Sequence, residues 1–241
     1  MEITQILAFG DSNVAGCELS SLENLQNYLD GKCTLEEADN LGKELAFPQI
    51  VADRLRVKCY NFALSGGSNA RSLRKLIANI KDCRNSLILF GYTEPNRTEF
   101  YYPDEGYFLA RDDDNFIQVG IQWEQSQSNR LFKRFQRHAS NKFIHPINSL
   151  YLEKILRTHN NLTDMMICVD AICKVNNNYV VHIPLCQPLD NMDYNILDFE
   201  AYKFYNEWCR QNKFQQLSLG HYGQEAHNKL AELILKNLEN L

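Results

Sequence analysis

The feature that most constrains this chain is an apolar run that stops at a small polar turn near its start. Residues 3–9, Ile-Thr-Gln-Ile-Leu-Ala-Phe, are typical of a buried β-strand, and Gly10, Asp11 and Ser12 follow directly. In open α/β sheets, ligands bind at the carboxyl ends of the strands, where a serine can be held exposed as a nucleophile. Ser12 is therefore a candidate nucleophile. The alternative is an ordinary turn, because Gly, Asp and Ser all favour turns for local backbone reasons.

Strand and helix patterns alternate along the rest of the chain. Strands are predicted at residues 3–9, 58–63, 86–90 and 179–184. A capping box at Thr34 and a capping residue at Ser68 each predict the start of a helix, and the second helix has Leu73, Leu76, Ile77 and Ile80 on its buried face. Further helices are predicted at residues 48–56, 130–138, 147–157, 162–175, 199–209 and 224–238. Residues 165–169 could equally be strand. This alternation predicts a three-layer α/β/α sandwich with a mostly parallel, flavodoxin-like sheet.

The length and composition limit the possible classes of protein. A chain of 241 residues fits one domain, 1–241, with insertions at about 17–46 and 98–145; the second is aromatic and acidic and could form a small hairpin. The net charge of -5 argues against a general nucleic-acid binder and favours a small-molecule or glycan ester as partner. The sequence has neither a membrane-length apolar segment nor a secretion signal at Met1, so we expect a cytoplasmic protein with no membrane partner.

The cysteines and histidines give no sign of a metal site. The eight cysteines are scattered without CxxC spacing, which favours reduced, mostly buried thiols. The six histidines also lack the spacing of metal ligands. We therefore expect no metal and no cofactor.

Three separated motifs together resemble the SGNH (GDSL) hydrolase family. Residues 9–12 (Phe-Gly-Asp-Ser), 61–69 (Asn-Phe-Ala-Leu-Ser-Gly-Gly-Ser-Asn) and 220–227 (Gly-His-Tyr-Gly-Gln-Glu-Ala-His) are similar to its first, second and fifth blocks in order and spacing. Residues 16–19 and 91–99 further resemble a branch common in bacteriophage genomes. The resemblance implies the SGNH hydrolase-like α/β/α fold and a serine ester hydrolase, for which an O-acetylated carbohydrate is one candidate substrate.

The same resemblance implies a role for each matching residue. Ser12 would be the nucleophile and His221 its general base. The backbone N–H groups of Ser12 and Gly66 would donate hydrogen bonds to the oxyanion. A glycine suits that position because the ester carbonyl can approach its amide closely.

Two positions depart from the family pattern. The family has an Asp three residues before the histidine, where this chain has Ser218, and an Asn as the third oxyanion donor, where it has Thr93. One hypothesis is a Ser12–His221 dyad, with His221 held by Ser218 or a backbone carbonyl, in which Ser218→Asp should raise turnover. The other is a catalytically silent SGNH-like protein that binds glycan or forms part of a virion.

Three further residues are candidates for contacting substrate. The hydroxyl of Thr93 or the amide of Asn69 could replace the missing oxyanion donor. Arg97 could hold a substrate carboxylate or phosphate, or instead form a structural ion pair with Glu94 or Glu99. Asn13, next to the candidate nucleophile, completes the set of Asn13, Asn69 and Arg97.

Overall fold

The structure is a computed structural model of the chain. It describes residues 2–19, 27, 32, 35–94, 97–101, 116–120, 162–189, 194–199, 202–218 and 220–239. The helices predicted at 130–138 and 147–157 and most of both predicted insertions lie outside these residues, and the domain division stays a prediction.

Six strands and seven helices are defined within the described residues. The strands are β1 Gln5–Phe9, β2 Lys58–Asn61, β3 Ser86–Tyr92, β4 Arg97–Tyr101, β5 Phe116–Gly120 and β6 Tyr179–Pro184. The helices are α1 Ser12–Ala15, α2 Leu35–Lys43, α3 Phe47–Leu55, α4 Asn69–Asn79, α5 Leu162–Val175, α6 Tyr205–Gln211 and α7 Gln224–Glu239.

The main sheet has four parallel strands in the order β2-β1-β3-β6. In register, Ile6 lies beside Cys59 on one side and Leu87 on the other, and Leu87 lies beside Tyr179. Because all four strands run the same way, their carboxyl ends share one edge, where open sheets of this kind bind ligands. The predicted parallel sheet is confirmed, and the loop carrying Ser12 begins at this edge.

Helices cover both faces of the sheet and create two cores. Ile6 and Ala8 of β1 pack with α3, α6 and α7, whereas Leu7 and Phe9 pack with α4 and α5. Alternate residues of a strand point to opposite faces, so a strand buried on both faces is apolar throughout. Complete burial of each such side chain contributes about 1.5–3 kcal/mol. The three-layer α/β/α architecture predicted from the sequence is therefore confirmed.

Two helix predictions need correction. On α4, Leu76 and Ile80 are buried but Ile77 is 48% exposed, because the buried face also takes in polar Asn69 and Ser72, which turns Ile77 outward. The predicted helix at 199–209 begins only at Tyr205. The preceding segment runs beside β6 instead, where the Leu197 amide donates a hydrogen bond to the His182 carbonyl.

Other ambiguities are resolved by the structure. Residues 162–175 are helical along their whole length, so residues 165–169 are not strand. Strands β4 and β5 pair antiparallel, as the hairpin interpretation predicted for this region. The seven cysteines in the described ranges form no disulfide. None of the helices in those ranges has both the length and the apolar character needed to cross a membrane.

Candidate active site

Ser12 begins a one-turn helix immediately after the first strand. Asp11 caps this helix by accepting a hydrogen bond of 2.9 Å from the Asn13 amide, and Gly16, in a left-handed conformation with φ 72°, ends it. The residue Ser12 is 8% exposed. Within the part of the chain that the structure describes, neither its hydroxyl nor its backbone N–H has a hydrogen-bond partner. Among the described residues, neither group is therefore occupied by a structural hydrogen bond.

His221 has a carboxylate partner that the sequence analysis missed. Its Nδ1 lies 2.9 Å from Oε2 of Glu18, whose side chain is 1% exposed while that of His221 is 20% exposed. An ionised carboxylate only accepts hydrogen bonds, so opposite an ionised Glu18 the tautomer assigned to His221 carries its proton on Nδ1 and leaves Nε2 to accept one. A ring nitrogen that can accept a proton is one requirement for a general base.

Several contacts hold Glu18 in place. Its Oε1 accepts a hydrogen bond of 2.9 Å from the Ser218 hydroxyl, and its Oε2 also accepts one of 3.3 Å from the His221 amide. Its backbone is left-handed, with φ 70°, which is uncommon for a residue other than glycine and persists only where the surroundings enforce it. Ser218 thus binds the acid rather than His221, and the hypothesis of a neutral partner for His221 is wrong.

The turn at residues 64–67 lies against the turn that precedes Ser12. The Leu64 amide donates to the Gly10 carbonyl at 3.3 Å, and the Gly67 amide donates to the Leu64 carbonyl at 2.8 Å. Gly66 has a φ of 74°, which glycine adopts without strain. Among the residues that the structure describes, no acceptor takes the Gly66 N–H, so this amide is available to a ligand.

Thr93 binds both Asp11 and Asn69. The Thr93 hydroxyl donates to Oδ2 of Asp11 at 2.6 Å. The Thr93 amide donates to Oδ1 of Asn69 at 2.9 Å, and Nδ2 of Asn69 donates to the Thr93 carbonyl at 3.1 Å. A hydroxyl has a single hydrogen, so this geometry counts against Thr93 as an oxyanion donor. Asn69 keeps one further N–H, and its role stays a prediction.

Arg97 and Asn13 also contact this carboxylate. Arg97 lies 3.4 Å from Oδ2 of Asp11 and 3.6 Å from Oε2 of Glu94, and Nδ2 of Asn13 donates to Oδ1 of Asp11 at 3.2 Å. The contact with Glu94 is the structural ion pair considered for Arg97 from the sequence, and Asp11 is an additional partner. Asp11 therefore links the strand end to the loop after β3, and substrate binding by Asn13 or Arg97 stays a prediction.

The described part of the chain brings no three metal-ligating side chains together. The structure thus joins Glu18 to His221 and Ser218 through short contacts, and places Thr93 beside both Asp11 and Asn69. Within the described residues, Ser12 and His221 share no hydrogen bond, so the Ser12–His221 pair stays a prediction. Glu18 was not predicted, although it lies within the segment 16–19 that follows the serine. The signal that could have found it is an acidic residue close after the nucleophile in a chain that lacks an acid at position 218.

Comparisons with known proteins give distant structural similarities. A scan of protein-family models finds no match, and neither does a search of curated proteins. The chain is similar to a crystal structure of TesA, with 12% identity, a TM-score of 0.49, and coverage of 98% of this chain and 99% of that one. It is similar to a protein described as lipolytic and of the G-D-S-L family, from Desulfitobacterium hafniense DCB-2, with 12% identity, a TM-score of 0.43, and coverage of 97% and 99%.

A third similar structure is that of a carbohydrate esterase whose active site has divergent catalytic and non-catalytic binding functions. It has 15% identity and a TM-score of 0.44, with coverage of 99% of this chain and 69% of that one. Identities and TM-scores at this level do not transfer a site. The geometry of this chain's own residues therefore has to support any function assigned to it.

Proposed function

We propose that this protein is a serine ester hydrolase of the SGNH type, with Ser12 as nucleophile, His221 as general base and Glu18 as the acid that orients the base. The observation that carries the proposal is the 2.9 Å contact between Glu18 and Nδ1 of His221. Glu18 lies on the loop that leaves α1, where the Cys17 amide donates to the Ser12 carbonyl at 2.9 Å. The carboxylate thus connects His221 to the loop that follows α1, the helix that Ser12 begins.

Besides the ester and a water molecule, the proposed reaction uses groups of this chain. Nε2 of His221 takes the hydroxyl proton of Ser12 as Oγ attacks the ester carbonyl, and Glu18 stabilises the imidazolium that forms. The backbone N–H groups of Ser12 and Gly66 donate to the oxyanion. His221 then protonates the leaving alcohol, and a water molecule activated by the same nitrogen hydrolyses the acyl-enzyme to release the acid and restore Ser12.

The proposed substrate is an acyl ester on a small polar molecule or a glycan, with O-acetyl as the leading candidate. A catalytically silent binding protein is the second candidate. It is favoured by the hydrogen bond from Thr93 to Asp11, because that bond removes a hydroxyl which could have served as a third oxyanion donor. The loss of one such donor typically costs about 10²–10³ in rate.

Labelling with a fluorophosphonate probe, together with hydrolysis of p-nitrophenyl acetate, distinguishes the two candidates. We expect the parent to be labelled at Ser12 and to hydrolyse the ester. Ser12→Ala should lose the label and at least about 10³-fold in kcat/KM.

Ser72→Ala is the matched control, because Ser72 is a buried serine whose hydroxyl has no hydrogen-bond partner in the described part of the chain. It should retain both signals. A folded parent that neither reacts with the probe nor exceeds Ser12→Ala on the ester would reject the esterase and favour the binding protein.

A further inference from the structure

A second buried carboxylate lies close to the proposed site and has no part in the proposed reaction. Asp39 belongs to α2 and is 4% exposed. Its Oδ2 accepts a hydrogen bond of 2.7 Å from the Ser65 amide, and its Oδ1 accepts one of 2.7 Å from the Ser65 hydroxyl. A charged group is rarely buried to this degree without a specific partner, and here both carboxylate oxygens bind one residue.

The residue that Asp39 binds immediately precedes Gly66. The two successive amides are used differently: the Ser65 N–H is bound to Asp39, while the Gly66 N–H has no acceptor within the described residues. The direction of one peptide N–H limits the direction of the next, because only two backbone dihedrals lie between them. Binding of Ser65 therefore helps to set where the Gly66 N–H points.

Helix α2 is itself packed against the segment that follows Ser12. A side-chain carbon added at Gly16 would lie 2.5 Å from the Gly42 carbonyl oxygen and 2.8 Å from Cβ of Ala46. Backbone contact this close leaves the helix little room to shift relative to α1. Asp39 thus links the 64–67 turn to α2, the helix that packs against the residues following Ser12.

We propose that Asp39 is a positioning residue that holds the 64–67 turn so that the Gly66 N–H faces the acyl oxyanion formed at Ser12. The proposal rests on the esterase function proposed above. Asp39 does not touch the reacting atoms in this scheme. Its effect is to keep one oxyanion donor aligned before the substrate binds, which is how preorganised donors accelerate acyl transfer. Burial raises the pKa of the Asp39 carboxyl, and both of its Ser65 bonds oppose that shift.

Three variants remove different numbers of the hydrogen bonds between Asp39 and Ser65. Asp39→Ala removes both hydrogen bonds, and Ser65→Ala removes only the one from the hydroxyl. Asp39→Asn can keep both, because its oxygen can accept from the Ser65 amide while its NH₂ donates to the hydroxyl oxygen. Asp53→Ala is the matched control, since Asp53 is an exposed helical carboxylate that accepts a hydrogen bond from Gln49.

We expect Asp39→Ala to lower kcat on p-nitrophenyl acetate by about 10- to 100-fold, below the loss for deleting a donor outright, with KM within about threefold of the parent. The inhibition constant of a boronic acid, whose tetrahedral adduct with Ser12 places an oxygen at the oxyanion position, should rise by a similar factor. The fall in kcat should be smaller for Ser65→Ala, and kcat of Asp39→Asn and of Asp53→Ala should remain near that of the parent. Unchanged kcat in a folded Asp39→Ala would overturn the proposal, as would a loss that appears only in KM.

Hydrogen exchange at the Ser65 amide keeps this test separate from the test of the esterase. Exchange should be faster in Asp39→Ala than in Asp53→Ala whether or not the parent is active. Unchanged exchange would overturn the positioning role even in an active enzyme. An inactive parent would instead overturn the esterase and the oxyanion role together. Should Asp39→Ala fail to fold, kcat of Ser65→Ala decides instead: a fall at unchanged KM supports the proposal, and a kcat equal to that of Asp53→Ala overturns it.

Discussion

His221 and His227 are close neighbours in sequence, but the structure gives them opposite environments. His221 is partly exposed, and its Nδ1 binds the carboxylate of Glu18. His227 is buried; its Nδ1 accepts a hydrogen bond of 3.2 Å from the Phe47 amide at the start of α3, and its ring stacks on that of Phe47. A carboxylate stabilises the charged imidazolium, whereas an amide donor requires the neutral ring. The partner, and not the residue type, separates a candidate base from a structural histidine.

A third histidine supports the same distinction. His182 on β6 is fully buried, and its Nδ1 lies 2.8 Å from the Tyr92 hydroxyl. Burial lowers the pKa of His182 to about 4 and that of His227 to about 3. Both side chains are therefore neutral at pH 7. In this comparison, only His221 combines access to solvent with a carboxylate that can support proton transfer.

The largest expected effect comes from removing the acid that distinguishes His221. Glu18→Ala should lower kcat/KM by about 10³–10⁴, because a histidine without its orienting carboxylate loses both the correct tautomer and the stabilising charge. Glu18→Gln can keep the hydrogen bonds but not the charge, so it should lower kcat/KM less than Glu18→Ala does. Steady-state hydrolysis of p-nitrophenyl acetate measures both.

Glu225→Ala provides the control for that series, because Glu225 is an exposed acid in the first turn of α7. It should leave kcat/KM within about twofold of the parent, as expected for a surface substitution. A folded Glu18→Ala that matches Glu225→Ala would remove the difference between the two histidines on which the proposed mechanism depends.

A smaller effect is expected at Ser218, where the sequence and the structure lead to opposite predictions. From the sequence alone, Ser218→Asp restores an acid and should raise turnover. In the structure, the Ser218 hydroxyl donates to Glu18 at 2.9 Å, so an aspartate there would oppose a buried carboxylate. Two charges about 4 Å apart repel by up to about 4 kcal/mol near a protein surface, and less for an exposed side chain such as this one.

We therefore expect Ser218→Asp to lower kcat by about 10- to 100-fold and Ser218→Ala, which loses one hydrogen bond, by less than about tenfold. The two variants should be compared under identical conditions after both are shown to fold by circular dichroism. A rise in turnover for Ser218→Asp would show that the family-like position can supply the acid, and Glu18 would then lose its assigned role.

The reversal at Ser218 shows what could and could not be read from the sequence. The strand around Leu7 and the helix around Leu230 were predictable because hydrophobic periodicity is a local property. Ser12 and His221 stood out through local motifs. Glu18 contacts a residue that is about 200 positions away along the chain, and no local pattern records such a contact. Its left-handed backbone depends on the tertiary surroundings in the same way.

The limits of the helix predictions have a similar origin. Ile77 fits the apolar pattern of α4, but Asn69, which binds Thr93, is part of the face that the helix buries. Phe199 fits a helix pattern, but the segment before it runs beside β6. In both cases, a hydrogen bond to a distant element outweighed a preference that is worth only a fraction of a kcal/mol per residue.

The smallest expected effect concerns acid stability and the other side of the histidine comparison. The pKa of His227 is about 3 in the folded chain, against 6.5 for the ordinary side chain. Between these two values the unfolded state binds a proton that the folded state does not, so the free energy of unfolding falls as the pH drops below about 6.5 and stops falling from this cause near pH 3. At pH 5 the expected loss from His227 is about 2 kcal/mol, since each pKa unit corresponds to about 1.4 kcal/mol. His182, whose pKa is about 4, adds a loss of the same origin and of similar size. Urea unfolding at pH 7.5 and pH 5.0 measures the sum, and a variant of His227 separates the two contributions. His227→Gln can still accept the Phe47 amide hydrogen but does not titrate in this range, so it should be less stable than the parent at pH 7.5 and should lose about 2 kcal/mol less on acidification. An equal loss in both proteins would mean that His227 is not held neutral by burial, and the contrast with His221 would then rest on the Glu18 contact alone.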